Sequence, residues 1–262
     1  MQVSVFSIVF MAISAGISIG LPVAFFIFLF KKYNAKFLPM IFGAAAFFIF
    51  ALVLEQLIHS VVFKNFALKE KPLIYIIYGT LMAGIFEETA RFISFNILKK
   101  KNHKGIITGL SYGIGHGGTE AVLIAGLAMI ASIVFCIMIN TGNAELITGK
   151  LQGGALETMS ALIDTLKTTA PYMFLISGIE RTFAIIIQVS LSVIVFYSVF
   201  NKGKIWLYPL AIILHAVIDI PAAVFQVKII ENVLVIEGII CLSAAALAAL
   251  AVILHKKQKD AS

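Results

Sequence analysis

Ionisable side chains recur inside stretches of sequence that are otherwise apolar, and their spacing suggests acid–base chemistry. Glu87, Glu88 and Arg91 lie within five positions of one another in IFEETARF. His215 and Asp219 are four residues apart, which places both on one face of a helix. Paired carboxylates and histidines are the side chains that most often act as general acids and bases. One of the two glutamates could therefore activate a water molecule.

Two further groups extend this set. His116 and Glu120 also stand four residues apart, and Glu180 is adjacent to Arg181. Histidines from two helices could orient a water, bind a metal ion or polarise a scissile carbonyl, while Asp219 could fix the tautomer of His215. Two histidines with a carboxylate would also suit zinc, although no HExxH sequence is present. The cofactor therefore stays unknown, with zinc as one candidate.

The elements that must position these residues are membrane-spanning helices. Of 262 residues, 61% are hydrophobic and 13% are charged, and the mean hydropathy is +1.04. Such a composition excludes an ordinary soluble protein. The prediction is an all-α, polytopic helical bundle, a single integral membrane domain over residues 1–262. Apolar runs long enough to cross a bilayer predict seven spans: 4–30, 37–63, 73–97, 105–139, 171–199, 204–226 and 232–254.

Within this single domain, residues 1–63 are predicted to be peripheral helices, 73–226 the catalytic core and 232–254 a C-terminal span. The fourth run is too long, because about 35 helical residues measure about 52 Å. The glycines of GLSYGIGHGG (109–118) mark a place for a break, which would give eight spans, or for close helix contact. The stretch LETMSALIDTLKTT (156–169) predicts an amphipathic helix along the membrane surface.

The lysines indicate orientation and not nucleic-acid binding. Clusters follow the first, third, fifth and seventh runs, which places the N-terminus outside and the C-terminus in the cytoplasm of a multi-pass cell-membrane protein. These clusters are Lys31, Lys32 and Lys36; Lys99, Lys100, Lys101 and Lys104; Lys202 and Lys204; and Lys256, Lys257 and Lys259. Lys64, Lys69 and Lys71 fall on the opposite side and violate the rule.

The ionisable residues also share a depth in the membrane. Glu87, His116, Glu180 and His215 each lie about 9 to 11 residues from the nearer end of their span, which at 1.5 Å per residue is close to the midplane. Charged groups at that depth normally face an internal cavity and carry function. Four helices are therefore predicted to contribute polar groups to one pocket.

Each feature also has a structural interpretation. Glu87 and Arg91 could be an ion pair that only neutralises itself, His116 could be a packing histidine, and Glu180 beside Arg181 is more typical of a structural pair. Glu55 and His59, nearer the outer boundary, are interpreted as structural. Convergence at one depth is what favours a functional site.

These residues resemble a known family. EETAR (87–91), YGIGH (112–116) and HAVID (215–219) look like the EExxxR, FxxxH and HxxxN/D motifs of the CAAX prenyl endopeptidase and Abi membrane proteases. A closer resemblance is to YhfC-type intramembrane peptidases, whose pattern also resembles GHGGTEA and IERTFA here. The resemblance covers residues 80–222.

The resemblance implies roles for individual residues. Glu87 and Glu88 would activate water with Arg91 as their charge partner, and His116, His215 and Asp219 would complete the site. The arginine here follows EExx, so which glutamate is the base stays open, and Tyr112 replaces the family's phenylalanine. Four further residues are candidates for orienting these groups from behind: Glu120, Glu180, Arg181 and Tyr112. If the site is zinc-dependent, His116 and His215 would hold the metal.

The function that follows is hydrolysis of a peptide bond in a membrane-associated protein or peptide. The partners would be the lipid bilayer and that substrate, with no nucleic acid. A proton- or cation-coupled transporter would use the same buried cluster and is the alternative. A binding or scaffold subunit is the third interpretation.

Overall fold

The protein is a bundle of long helices. The computed structural model describes residues 2–259, which contain helices and no strand. Seven of these helices are long and apolar enough to cross a membrane, so the predicted all-α polytopic bundle is confirmed. In chain order the spans are Val5–Tyr33, Phe37–Asn65, Pro72–Lys100, Ile106–Asn140, Pro171–Phe200, Leu207–Gln226 and Val233–Lys257. The last helix continues to Lys259.

Two spans contain a stretch of wider, π-type helix. In the second span it covers Phe47–Glu55, and in the fourth it covers Ala121–Gly126. The fourth span nevertheless continues through the glycines of 109–118 as one helix, so the predicted break and the alternative of eight spans are wrong. Stretches of π-helix are frequent at functional sites, and this one follows directly after Glu120.

The connections are short except between the fourth and fifth spans. A turn of 3₁₀-helix, Leu68–Glu70, joins the second and third spans. Between the fourth and fifth spans lie a short helix, Glu145–Thr148, and a longer one, Gly154–Thr168. The longer helix confirms the prediction of a helix in this loop, and it buries Ile163 and Leu166.

The contacts divide the chain into two compact units. One comprises Met1–Leu21 with Glu120–Thr182, and its apolar cluster includes Met11, Cys136 and Phe174. The other comprises Pro22–Thr119 with Phe183–Ser262. The single domain with a core over 73–226 stays a prediction of the sequence.

The second unit is built around the end of the fifth span. Leu191, Ile194 and Phe196 are buried there against Phe95 and Leu207 of the third and sixth spans. Because lipid tails are as apolar as these side chains, the association of such helices depends on close packing and on small residues at the contacts. The third and sixth spans pack along each other in this way.

Candidate active site

The third span presents two carboxylates and one arginine to the interior of the second unit. Glu88 and Arg91 are fully buried, and the Glu87 side chain is 9% exposed. Arg91 Nη1 donates a hydrogen bond of 2.5 Å to Glu88 Oε1, and Nη2 donates one of 3.5 Å to Glu87 Oε2. The spacings of three and four residues put all three groups on one helical face. Arg91 therefore lies between both carboxylates.

Glycines let the neighbouring helices come close to this face. A Cβ atom on Gly84 would lie 2.7 Å from the carbonyl oxygen of Ile212, so the sixth span approaches the third one turn before the glutamates. A Cβ on Gly117 would lie 2.7 Å from Gln188 Cβ, and one on Gly113 would lie 2.7 Å from Val189 Cα. The expectation of close helix contact at the glycines of the fourth span is confirmed.

His116 reaches the cluster from the fourth span. Its Nε2 donates a hydrogen bond of 2.8 Å to Glu87 Oε2, since a carboxylate can only accept. The ring is fully buried, with Phe47 edge-on at 5.2 Å between ring centroids and Tyr112 stacked at 6.1 Å. Its Nδ1 is buried with no hydrogen-bond partner among the described residues. The aromatic packing fixes the plane of the imidazole toward Glu87.

His215 reaches the same point from the sixth span. Its Nδ1 donates a hydrogen bond of 2.7 Å to Glu88 Oε1. Its Nε2 lies 3.9 Å from Glu87 Oε2 and 3.4 Å from Asp219 Oδ2. Asp219 is the most accessible member, with 38% of its side chain exposed. The sequence suggested that Asp219 would fix the tautomer of His215, whereas Glu88 makes the shorter contact, at the Nδ1 atom.

Two residues of the fifth span complete the cluster and were missed from the sequence. Gln188 Nε2 donates a hydrogen bond of 3.1 Å to Glu87 Oε2, and Gln188 Oε1 accepts one from Arg91 Nη2. Ser192 Oγ accepts from Arg91 Nε at 3.2 Å. The signal that could have identified Gln188 is an amide inside an apolar run, more than ten residues from either end of its span, where an amide without a hydrogen-bond partner is costly.

Comparison with known proteins shows which family the chain belongs to. A family model described as "YhfC intramembrane metalloprotease" matches residues 17–240, which include every residue of the cluster. The chain belongs to the YhfC family. A Bacillus subtilis (strain 168) protein described as "Uncharacterized membrane protein YhfC" is 38% identical over 248 residues, covering 93% of this chain and 95% of that relative. No solved structure matches.

The resemblance to YhfC proteins is thus confirmed, and with it a multi-pass membrane protein. The family description implies a metal ion, so the donors in this YhfC chain can be tested against one. Glu88 accepts the hydrogen bond of His215 Nδ1, as carboxylates outside a metal site often do for a metal-binding histidine. The other ring nitrogen of His215, Nε2, then faces Glu87 Oε2. His116 Nε2 faces the same oxygen. Two imidazole nitrogens and a carboxylate form a donor set typical of catalytic zinc.

The donor types therefore fit a metal. As the side chains stand, the groups bond to one another directly, and within residues 2–259 no three His, Cys, Asp or Glu side chains are spaced to hold an ion.

The remaining predicted site residues of the YhfC chain lie in two places. Tyr112 is fully buried in the second unit, against His116 and Phe95. The other unit contains Glu120, Glu180 and Arg181. There Arg181 Nη1 donates a hydrogen bond of 3.2 Å to Glu120 Oε1, and Nη2 donates one to Glu180 Oε1. The fifth span therefore contributes Gln188 and Ser192 to the cluster around Glu87, while Glu180 pairs elsewhere. A role for Glu120, Glu180 and Arg181 in orienting the catalytic groups stays a prediction.

The pair interpreted as structural, Glu55 and His59, also lies in the second unit. His59 Nε2 is 3.2 Å from Glu55 Oε1, and His59 Nδ1 is hydrogen-bonded at 2.9 Å to the Tyr78 hydroxyl. Glu55 is buried and lies within electrostatic range of Glu87 and Asp219. Each group of this pair thus has a partner within the membrane.

Proposed function

We propose that this YhfC-family protein is an intramembrane peptidase that hydrolyses a peptide bond of a membrane-associated protein or peptide, with a water activated by Glu87. The observation that supports this best is the convergence on one oxygen atom. Glu87 Oε2 meets His116 Nε2 at 2.8 Å, Gln188 Nε2 at 3.1 Å and His215 Nε2 at 3.9 Å. Three other spans thus direct nitrogen atoms at a single carboxylate of the third.

Glu87 is the base in this proposal because it is the more accessible of the two carboxylates. Oε1 of Glu88 accepts from both Arg91 and His215, and its side chain is fully closed off. Glu87 keeps a small exposed fraction, so a water can reach it. Glu88 then positions His215, and Arg91 balances the charge of the two carboxylates, which would otherwise be costly inside a membrane.

The two histidines, one on the fourth span and one on the sixth, serve the reacting carbonyl beside Glu87. Glu87 takes a proton from the water as the oxygen attacks the carbonyl carbon. An imidazole N–H then stabilises the negative charge that develops on the carbonyl oxygen. His215 Nε2, which lies 3.9 Å from Glu87 Oε2 and beside the accessible Asp219 carboxylate, is placed to take that same proton from Glu87 and pass it to the leaving amine, which returns Glu87 to its charged form.

The same groups would hold a metal ion. His116 Nε2 and His215 Nε2, with an oxygen of Glu87 or Asp219, are the atoms that would bind it. A divalent metal bound there would polarise the carbonyl and make its water a better nucleophile.

The orientation inferred from the lysine clusters belongs to the same proposal. The N-terminus lies outside and the C-terminus in the cytoplasm, in the cell membrane. The substrate is then a protein or peptide that already lies in or on that membrane, because the cluster is carried entirely by spanning helices.

The test is cleavage by the purified full-length protein in liposomes. Membrane-tethered peptides are incubated with wild type, with Glu87→Gln and with Glu157→Gln, an exposed glutamate of helix Gly154–Thr168. New peptide termini are detected by mass spectrometry. Cleavage by wild type and Glu157→Gln, lost in Glu87→Gln, is the expected result. Ion flux that depends on Glu87, without cleavage of any peptide, would overturn the proposal in favour of a transporter.

A further inference from the structure

An apolar cavity of about 760 Å³ lies between the first, fourth, fifth and seventh spans of the second unit. Its walls include Phe28, Leu110, Ile114, Val189, Val193 and Ala251. The volume is within the range of small-molecule sites, about 300 to 1,000 Å³. Phe25, Phe28 and Val252 line it and are themselves exposed, so the cavity opens sideways toward the hydrocarbon of the bilayer.

The cavity runs along the helices from one end of the bundle. Its lining on the fifth span extends from Ile185 to Val193, about 12 Å at 1.5 Å per residue. Tyr33 and His255, at the ends of the first and seventh spans, form its rim. Such an elongated, apolar, laterally open space has the shape of a hydrocarbon chain and not of a polar metabolite.

The rim carries fixed positive charge. Lys32 Nζ lies 5.2 Å from the ring centroid of Phe28 and 5.5 Å from that of Tyr33, and both rings line the cavity. These cation–π contacts hold the ammonium group at the cavity's edge. The Tyr197 hydroxyl is hydrogen-bonded at 2.6 Å to His255 Nδ1, which fixes the other side of the rim.

The charge around the rim has one sign. Residues 31–36 and 255–257 contain five lysines and no aspartate or glutamate. An anionic headgroup is the complement of such a surface, and basic residues next to a span are the usual partners of anionic lipids. From this charge and shape complementarity we infer that the cavity binds one acyl chain of an anionic phospholipid, with the lipid phosphate at Lys32.

This site is separate from the cluster around Glu87. The fourth span presents His116 to the cluster and Ile114 to the cavity, and the fifth span presents Gln188 to the cluster and Val189 to the cavity. No polar residue of the cluster lines the cavity. The lipid therefore lies behind the contact between Gly113 and Val189, and its binding does not require the proposed peptidase activity.

Native mass spectrometry of the full-length protein in detergent tests the inference. Phosphatidylglycerol and phosphatidylcholine of equal chain length are titrated, and the first bound lipid is counted. Ala251→Phe places a ring in the cavity from a buried position of its wall, and Val252→Trp places one there from an exposed position. Ala249→Phe makes the same change as the first variant on an exposed face of the same helix. Lys32→Gln removes the rim charge, and Lys100→Gln removes an exposed lysine outside the cavity.

We expect one phosphatidylglycerol per chain to bind at least tenfold more tightly than phosphatidylcholine. Val252→Trp, and Ala251→Phe if it folds, should weaken that binding at least tenfold, and Lys32→Gln should remove the preference for the anionic lipid. Ala249→Phe and Lys100→Gln should bind as wild type does. Equal binding of both lipids, or binding unchanged in Val252→Trp, would overturn the inference. Blocked peptide cleavage in Val252→Trp with unchanged lipid binding would instead assign the cavity to the substrate.

Discussion

Two clusters of charge within the spans of this protein have the same acidic and basic groups but different surroundings. Each has two glutamates and one arginine inside membrane-spanning helices: Glu87, Glu88 and Arg91 in one, and Glu120, Glu180 and Arg181 in the other. In the first, side-chain exposure is between 0% and 9%, and in the second it is between 13% and 26%. In the first cluster the carboxylates also contact histidines, Glu87 with His116 and Glu88 with His215.

The comparison separates charge balance from chemistry. An arginine between two carboxylates relieves the cost of placing them in a membrane, and both clusters have one. Arginine cannot exchange protons, whereas histidine can. The imidazoles of His116 and His215 therefore distinguish the cluster for which we propose hydrolysis from the cluster around Arg181.

The largest expected effect is on catalysis at Glu87. Glu87→Gln keeps the shape of the side chain but removes the base, so the rate of peptide cleavage should fall about 10³-fold. Glu180→Gln makes the same change in the other cluster, and it should lower the rate of cleavage by less than about tenfold. The rates are measured on one tethered peptide in liposomes. Equal losses in the two variants would contradict the distinction between the clusters.

A second difference should appear in stability. Arg91→Met leaves two carboxylates without their cation in a fully closed site, which should lower the free energy of unfolding by about 3 kcal/mol or more. Arg181→Met should lower it by less, since Arg181 and its partners are more exposed. Denaturant unfolding in the same detergent gives both values. A larger loss at Arg181 would reverse the order.

Metal binding sharpens the comparison further. If His116 and His215 hold a divalent ion, His116→Ala and His215→Ala should each lower zinc affinity at least about 100-fold, because even outer-shell partners are worth about 10- to 100-fold. Glu180→Gln should keep the affinity of wild type. Metal content of the purified variants, measured by mass spectrometry, decides this. Identical zinc content in all four proteins would remove the histidines as ligands.

The smallest of these effects belongs to Glu88. Glu88→Gln removes the charge that holds His215 Nδ1, and the rate should fall about 10- to 100-fold, as for other groups that orient a histidine. The fall should therefore be smaller than that of Glu87→Gln. If Glu88→Gln were the more damaging variant while still folding, the assignment of base and positioning residue would be exchanged.

Much of this arrangement is predictable from the sequence. Hydropathy gives all seven spans to within a few residues, because the bilayer imposes length and apolarity on each. The order of EETAR, YGIGH and HAVID identifies Glu87, His116 and His215, which the structure brings together. Spacings of three and four residues within one helix also predict that Arg91 faces both glutamates.

The fifth span shows where such prediction fails. Glu180 was assigned to the cluster from its depth, but Pro171–Phe200 is about 45 Å long and exceeds a hydrocarbon core of about 30 Å, so counting from one end misplaces the midplane. Gln188, two turns further along, contributes instead. A single uncharged amide belongs to no recognisable motif. Its hydrogen-bond partner depends on how one helix is rotated against another, and the spacing of residues along the sequence does not give that rotation.

The central claim is that Glu87 and His116 act in one hydrolytic centre, and a double-mutant cycle tests it most directly. Cleavage rates are measured for wild type, Glu87→Gln, His116→Ala and the double variant in the same liposomes. Groups that act as a unit are strongly non-additive, so the double variant should be no slower than Glu87→Gln alone, within about threefold. Losses that multiply in the double variant would show that the two residues act independently and would contradict a single hydrolytic centre.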